Sequence, residues 1–188
     1  ETWLHRLFAA ESDLIGRHQV DITGLIGQYA HGNEPSHHMA YLYNYTNSPE
    51  KTQFYVDRIL NELYTIQPDG LSGNEDCGQM SAWYVMSALG LYPTAPGNTN
   101  YQIGRPLFKK AEVKLPRKKL SIEAPDNSVS AKYVKEVSFN TSKVNDTEID
   151  HNQIKKGGTL LFEMSDKPLS TSNNDISRED SLLKTDFI

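Results

Sequence analysis

Apolar residues in the first half of the chain recur at the spacing of helices. Within residues 2–14 they fall on one helix face, and these are Trp3, Leu4, Leu7, Phe8 and Leu14. Ser48-Pro49-Glu50 predicts the start of a second helix, because serine caps a helix, proline suits its first position and glutamate suits its first turn. Residues 79–89 predict a third helix, apolar on most sides and therefore buried, with Gly90 at its end.

The pattern changes near residue 91, where prolines become frequent and apolar residues begin to alternate with polar ones. Such alternation in short runs between turn residues is typical of β-strands. The expected strands cover residues 101–103, 111–115, 120–122, 133–139 and 159–162. Helices followed by strands indicate an α+β protein. The pattern therefore predicts a helical region at 1–92, a β-rich segment at 93–168 and a polar tail at 169–188.

Composition and charge narrow the function classes. The 188 residues are 37% hydrophobic, and their apolar runs stay well below the ~20 residues of a membrane-spanning helix, so no membrane is expected as a partner. The net charge of −5 comes without a basic block, which argues against nucleic acid as a partner. The single cysteine, Cys77, cannot form a disulfide within the chain.

Two polar loops, Gly32–His38 and Gly73–Gln79, lie at the starts of predicted helices, the first of which is expected over residues 35–45. Their carboxylate and amide oxygens are ligands that calcium prefers. Asn, Asp and Ser are also ordinary helix caps, so the residues alone leave a functional and a structural interpretation open. In an α-helix His37 and His38 would point about 100° apart, and only one of them is expected to face a site.

Long stretches around the two loops resemble a known family. Residues 28–38 have the sequence Gln-Tyr-Ala-His-Gly-Asn-Glu-Pro-Ser-His-His, and residues 73–83 have the sequence Gly-Asn-Glu-Asp-Cys-Gly-Gln-Met-Ser-Ala-Trp. Both resemble hallmark motifs of the calcium-dependent inverting exo-α-mannosidase family of glycoside hydrolases, and the resemblance extends over roughly residues 15–165. It implies that the chain is the C-terminal part of an (α/α)6 helical barrel followed by a β-rich segment.

The resemblance also implies roles for individual residues. Asp76 is implied as the general base that takes a proton from water, and Asn74 stands where some relatives carry a second acidic residue. Calcium is the implied cofactor, with Asn33, Glu34 and Asp76 as its candidate ligands. Mannose contacts are implied for six polar residues in and before the two loops: His18, Gln19, Asn33, Glu34, His37 and Asn74. Trp83 lies inside an apolar helix and is expected in the core rather than against a sugar.

One part of the family's site is not found in the sequence. The general acid of the family is a glutamate in a Glu-Gly-x-x-Trp motif upstream of the first loop, and residues 1–32 contain no such motif. We therefore expect the chain to need a missing N-terminal part of the same protein, and to be inactive alone.

The expected substrate is a mannose-containing glycan, and the expected location is secreted, periplasmic or at the cell surface. A chain without its partner is expected to expose an apolar patch along residues 79–89. The alternative function is that of a non-catalytic carbohydrate-binding or accessory protein on the same scaffold.

Overall fold

The computed structural model describes residues 1–14, 19 and 21–169. His18 and, apart from Leu169, the predicted polar tail therefore lie outside the described residues. Within the described part of the chain, no helix has the length and apolar character needed to cross a membrane.

Three α-helices form where the apolar pattern predicts them. They are α1 (Thr2–Ala9), α2 (Pro49–Glu62) and α3 (Gln79–Ala88). Helix α1 ends at Ala9 and is shorter than expected. Ser48 occupies the N-cap position of α2, but its hydroxyl donates to Oε1 of Glu1 (2.6 Å) instead of capping the helix. Gly90 follows α3 with a φ of 81°, a left-handed conformation that glycine adopts without strain.

The segment between α1 and α2 differs from the expectation. It contains the antiparallel hairpin of β1 (Leu25–Ile26) and β2 (Tyr29–Ala30), then two 3-10 helices, Glu34–Ser36 and Met39–Tyr45. The single helix expected over residues 35–45 is therefore wrong in type. Residues three apart are aligned in a 3-10 helix, and the pairs Ala40–Tyr43 and Tyr41–Asn44 are all buried. Burial of both pairs compensates for the poorer hydrogen-bond geometry of the 3-10 form.

The second half is rich in β-structure, as the alternating pattern predicts. Its elements are β3 (Leu91–Tyr92), β4 (Asn100–Ile103), β5 (Lys110–Leu115), β6 (Lys118–Glu123), β7 (Tyr133–Phe139), β8 (Ser142–Val144), β9 (Glu148–Asp150), α4 (His151–Ile154) and β10 (Gly158–Ser165). The five predicted strands are confirmed as β4, β5, β6, β7 and β10. The pattern missed β3, β8 and β9, which have two or three residues each.

A five-stranded sheet has the order β5-β6-β10-β7-β8, and a three-stranded sheet has the order β3-β4-β9. Strands β5 and β6 form one antiparallel hairpin, and β7 and β8 form another. Strand β10 lies between the two hairpins, parallel to β6 and antiparallel to β7. The described chain is thus a mixed helix and sheet structure.

Two hydrophobic cores support these regions. The aromatic core consists of Phe8, Ile26, Tyr29, Ala40, Tyr41, Tyr43, Tyr55, Val56, Ile59, Leu60, Trp83, Ala88 and Tyr92. The aliphatic core consists of Leu91, Ile103, Leu120, Ile122, Ala124, Val134, Val137, Ile149, Ile154, Leu160, Phe162 and Met164. Leu91 and Tyr92 therefore pack into different cores, although both belong to β3. The division of the chain into domains at residues 92 and 93 stays a prediction.

Helix α2 connects the two regions through polar contacts. Asp57 forms ion pairs with Arg105 (3.0 Å) and Lys132 (3.5 Å), and Gln53 accepts a hydrogen bond from the backbone N–H of Val134 (2.8 Å). Burial lowers the pKa of the Arg105 guanidinium, and the Asp57 charge opposes that shift. These contacts hold α2 against the β-rich region.

Helix α3 is buried on one side only. Met80, Trp83, Ser87 and Ala88 are buried, whereas the side chain of Val85 is 56% exposed. The expectation that this helix is buried on most sides is therefore wrong for the chain by itself. On the exposed face, Val85 and the fully exposed Ile66 line one surface groove. The expected apolar patch stays a prediction.

Candidate active site

The two polar loops meet at their leading glycines. A Cβ atom placed on Gly73 would lie 2.5 Å from the carbonyl oxygen of Gly32, and a Cβ atom placed on Gly32 would lie 2.7 Å from the carbonyl oxygen of Ser72. Neither contact leaves room for a side chain, so this approach requires glycine at both positions. The two motifs are therefore brought to one place, although they are far apart in sequence.

Glu34, in the first loop, carries an unpaired carboxylate oxygen. It is the first residue of the 3-10 helix Glu34–Ser36 and is half-buried. Its Oε1 is buried and has no hydrogen-bond partner within the described residues. A buried carboxylate oxygen without a partner is costly, because it has lost its water. Glu34 is therefore suited to bind a cation or a hydroxyl group supplied from elsewhere.

The second loop has a left-handed backbone at Asp76, Cys77 and Gly78, with φ values of 41°, 57° and 87°. Asp and Asn tolerate this conformation better than other residues with side chains. The carboxylate of Glu75 accepts hydrogen bonds from the backbone N–H (3.0 Å) and the hydroxyl (2.7 Å) of Ser81, which lowers the pKa of Glu75 and fixes the start of α3. The side chain of Asp76 is exposed and makes no hydrogen bond with the described residues.

Two buried histidines stack behind the loops, and the ring centroids of His31 and His37 are 4.6 Å apart. The Tyr64 hydroxyl donates to the carbonyl of Met80 (3.2 Å), so it accepts from Nε2–H of His31 (2.6 Å). Nδ1 of His31 then accepts from the Tyr29 hydroxyl (2.8 Å). Burial, with a smaller effect of the neighbouring His37, lowers the pKa of His31 to about 3. Burial also lowers the pKa of His37, and both rings are neutral near pH 7.

His37 connects this cluster to α3. Its Nε2–H donates to the carbonyl of His31 (3.0 Å), and the indole N–H of Trp83 donates to the carbonyl of His37 (3.0 Å). Nε2 of Gln79 lies 3.2 Å from Nδ1 of His37 and 3.3 Å from the Tyr92 hydroxyl. Trp83 is fully buried, which confirms its assignment to the core.

A cavity of about 410 Å³ lies beside this network. Its lining contains the carboxylate, imidazole and amide groups of Glu34, His37, His38 and Gln79. Its remaining walls come from Pro35, Ala82, Trp83, Met86, Tyr92, Pro93, Thr94 and Pro96. Both histidines line the cavity, so the expectation that only one of them faces a site is wrong. The reason is local, since residues 37 and 38 lie between two 3-10 helices rather than within an α-helix.

The structure brings together only some of the residues assigned to the site. Glu34 and His37 line the cavity, whereas four exposed residues do not: Gln19, Asn33, Asn74 and Asp76. The last two belong to the loop that contacts Gly32. His18 lies outside the described residues.

Sequence reasoning missed three polar residues: His31, Gln79 and Tyr92. His31 and Gln79 could have been found, because both belong to the two motifs: His31 ends the sequence Tyr-Ala-His, and Gln79 ends the sequence Cys-Gly-Gln. Their importance comes from hydrogen bonds that cross between distant segments.

The described residues do not gather three or more His, Cys, Asp or Glu side chains into a metal-binding group. Calcium takes six to eight oxygen ligands, so these residues alone would leave its coordination incomplete. The unpaired oxygen of Glu34 and the exposed amide of Asn33 are nevertheless ligands of the hard, oxygen type. The chain therefore fits calcium in ligand chemistry, with further ligands to be supplied from elsewhere.

Comparison with known proteins places these features in a family. The model of the glycosyl hydrolase family 92 catalytic domain matches residues 1–166. An uncharacterized secreted glycosidase from Arthroderma benhamiae is 28% identical in an alignment 155 residues long, and the alignment covers 77% of this chain and 20% of that protein.

Two solved structures similar to this chain are also described as members of family GH92. A family GH92 alpha-mannosidase from Bacteroides thetaiotaomicron, in complex with mannoimidazole, is 42% identical with a TM-score of 0.83, covering 89% of this chain and 22% of the other. A family GH92 inverting mannosidase from the same organism is 36% identical with a TM-score of 0.75, covering 89% of this chain and 24% of the other. The chain thus spans about a fifth to a quarter of the length of these relatives. Because the family model matches most of the sequence, the chain belongs to glycosyl hydrolase family 92.

Proposed function

We propose that the chain is part of an exo-α-mannosidase that hydrolyses terminal α-linked mannose with inversion and requires calcium. One solved relative is described as an alpha-mannosidase in complex with mannoimidazole, and another is described as an inverting mannosidase. Because the chain spans under a quarter of those proteins, the rest of an (α/α)6 barrel and the general acid would come from outside these 188 residues. Joined to those segments, the chain would form the complete enzyme.

The contact between the Gly32 and Gly73 loops is the observation that carries this proposal. Hydrolysis with inversion needs two carboxyl groups on opposite faces of the sugar, one as acid and one as base. The contact places the exposed carboxylate of Asp76 on a loop that touches the motif of Glu34. Asp76 would act as the base, since an exposed carboxylate that no described cation pairs with can accept a proton from water.

Calcium would be bound by Glu34 and Asn33, with Asp76 as a further ligand, directly or through water. When bound there, it would attract the hydroxyl oxygens of the sugar and help to hold a distorted ring. The unpaired Oε1 of Glu34 supports this assignment, because a bound cation would relieve its burial. His18, Gln19 and Asn74 remain proposed sugar contacts. Both ring nitrogens of His37 have partners within the chain, so a contact of His37 with the sugar would use the ring edge and not a nitrogen. The relative from Arthroderma benhamiae is described as a secreted glycosidase, which supports a secreted location for this protein.

The test of this proposal is Asp76→Asn in the complete enzyme. Asparagine tolerates the left-handed backbone of this turn, so the variant removes the base without forcing the loop to refold. We expect kcat on an α-mannoside to fall by about two to four orders of magnitude, while substrate binding persists. Reaction products followed by NMR would report the anomer released and hence whether the configuration is inverted.

Glu75→Gln is the matched control. Glu75 neighbours Asp76 but caps α3 through Ser81, so the substitution should leave kcat within a few-fold of wild type. A near-normal kcat for Asp76→Asn would contradict the role of Asp76 as base. Mannoside binding by a wild-type complete enzyme that has no turnover would favour the carbohydrate-binding alternative instead.

A further inference from the structure

The side-chain amide of Gln79 lines the cavity, and its nitrogen has two partners. Nε2 lies 3.2 Å from Nδ1 of His37 and 3.3 Å from the hydroxyl of Tyr92. Gln79 is the first residue of α3, whose start is fixed by the bonds between Glu75 and Ser81. The backbone of Gln79 is therefore fixed by the start of α3, and its side-chain nitrogen is fixed by the two contacts.

The direction of these hydrogen bonds follows from the chemistry of the partners. The carbonyl oxygen of His31 can only accept, so Nε2 of His37 must carry the ring proton. A neutral imidazole has one ring proton, and Nδ1 of His37 is therefore an acceptor. It must receive a hydrogen from the NH2 group of Gln79, which fixes which end of the amide faces His37.

The other end of the amide is the oxygen Oε1, which accepts no hydrogen bond within the described residues although Gln79 lines the cavity. Glu34, which carries an unpaired and buried carboxylate oxygen, is another residue of the cavity lining. A cavity lined by two side chains that each carry an unpaired acceptor oxygen suits a ligand that donates several hydrogen bonds. A sugar with free hydroxyl groups is such a ligand.

We propose that Gln79 is a specificity-determining residue whose Oε1 accepts a hydrogen bond from one hydroxyl group of the terminal mannose. This inference rests on the proposed function and extends it to a residue assigned no role above. His37 and Tyr92 would be positioning residues, because they orient the amide through its nitrogen. An oriented acceptor rejects a sugar that lacks the hydroxyl, since the acceptor is then left unpaired.

The experiment compares the wild type with one variant on a set of substrates that each lack one hydroxyl group. Gln79→Met keeps the length of the side chain and removes the acceptor. For the complete enzyme and this variant, kcat/KM is measured on an aryl α-mannoside and on its 2-, 3-, 4- and 6-deoxy analogues. For the wild type, we expect the loss of one hydroxyl group to lower kcat/KM by about 10- to 100-fold. For Gln79→Met, we expect the loss of the same hydroxyl group to lower kcat/KM only slightly.

Gln67→Met is the matched control, because Gln67 is exposed and does not line this cavity. It should leave all deoxy ratios at their wild-type values. Equal losses for Gln79→Met on all substrates would overturn the proposal and leave Gln79 a structural role. A weaker calcium affinity of Gln79→Met without dependence on any hydroxyl would also overturn it, and would make the amide a metal ligand.

These outcomes are separate from a failure of the proposed function. If the wild type binds methyl α-mannoside without cleaving it, the proposed hydrolase activity is contradicted. The same comparison, run on binding constants by calorimetry, then decides the role of Gln79. Loss of one hydroxyl-specific binding term in Gln79→Met would support the inference, and uniform loss would overturn it.

Discussion

The aromatic and aliphatic cores differ in what they bury. The aromatic core includes Tyr29, Tyr41 and Trp83, whose polar atoms are hydrogen-bonded, and it encloses the buried His31. The buried members of the aliphatic core have no side-chain nitrogen or oxygen atoms. Polar groups in a dry interior must be paired, and each pairing restricts side-chain orientation more than apolar contact does. The aromatic core therefore determines positions for the candidate site, whereas the aliphatic core mainly supplies stability.

The largest expected effect tests whether the chemistry belongs to the aromatic region. Excess chelator should abolish turnover by the complete enzyme, because the proposed calcium ligands Asn33 and Glu34 lie beside that core. Added calcium should restore activity better than zinc, since the ligands are oxygen atoms. Kinetic assays with elemental analysis measure both. Full activity in excess chelator, with no metal detected, would contradict the proposed calcium site.

Truncation in the aliphatic core should lower stability and leave the chemistry unchanged. Phe162 is fully buried at the centre of the large sheet, and Phe162→Ala should reduce the free energy of unfolding by about 3–5 kcal/mol. Hydrogen exchange should show the loss mainly in β6, β7 and β10.

The folded fraction of this variant should keep the wild-type KM for an α-mannoside, since Phe162 does not line the cavity. Phe162→Leu is the conservative control and should show a smaller loss of stability. A large change in KM at full folding would mean that the two cores are coupled.

Acid should weaken the aromatic region first. The folded pKa of His31 is about 3, so between that value and its unfolded pKa near 6.5 the unfolded chain binds a proton that the folded chain does not. The stabilisation from neutral His31 is complete above pH 6.5 and is lost as the pH falls through this window. Burial also lowers the pKa of His37, so His37 likewise loses its contribution to stability as the pH falls. Hydrogen exchange from pH 7 to 5 should therefore show greater loss of protection in α3 than in β10.

His31→Gln removes the titration and should flatten this pH dependence, at the cost of a lower stability at pH 7. The carboxylates of Glu112 and Glu123 in the β-rich region have lowered pKa values because of hydrogen bonds, to Lys119 and to Ser121 respectively. Their contribution is lost at lower pH, below the ordinary carboxyl pKa. Equal loss of protection in both regions above pH 5 would contradict the prediction.

The smallest expected effect compares single tyrosine hydroxyls. Tyr41 is fully buried and donates to the hydroxyl of Ser87 (2.8 Å), so Tyr41→Phe should cost about 0.5–1.5 kcal/mol of unfolding free energy. Tyr101 bonds to His151 (2.9 Å) in a more exposed pair, and Tyr101→Phe should cost less. Denaturant titration of both variants measures the difference. A larger cost for Tyr101→Phe would reverse the comparison.

The regular elements could be predicted from local pattern. Alternating residues in the second half identified β4 to β7 and β10, and the Ser-Pro-Glu signal identified the start of α2. The residues between Leu25 and Tyr45 could not be predicted in this way. Their hairpin and 3-10 helices are stabilised by burial against distant segments, as when Asn44 donates to the carbonyl of Ile103 (2.9 Å). Local propensity contains no information about such partners.

The same limit applies to the candidate site. Glu34 and His37 could be identified from the sequence, because they belong to a motif whose unusual residues recur in order. Both residues line the cavity. The orientation of the Gln79 amide depends on the tautomer of His37, which in turn depends on the carbonyl of His31. A chain of three hydrogen-bonded groups on separate elements is visible only after folding.

The central position of β10 has a consequence for the order in which the sheet can assemble. The hairpins β5-β6 and β7-β8 need only local contacts and can close within ~1–10 μs of leaving the ribosome. Strand β10 joins them from later in the chain, and at ~5–20 residues per second its synthesis follows β8 by seconds. During that interval the inner edges of β6 and β7 have no partner and can pair with other chains. Nascent chains stalled before Gly158 should therefore aggregate more readily than chains that extend past Ser165.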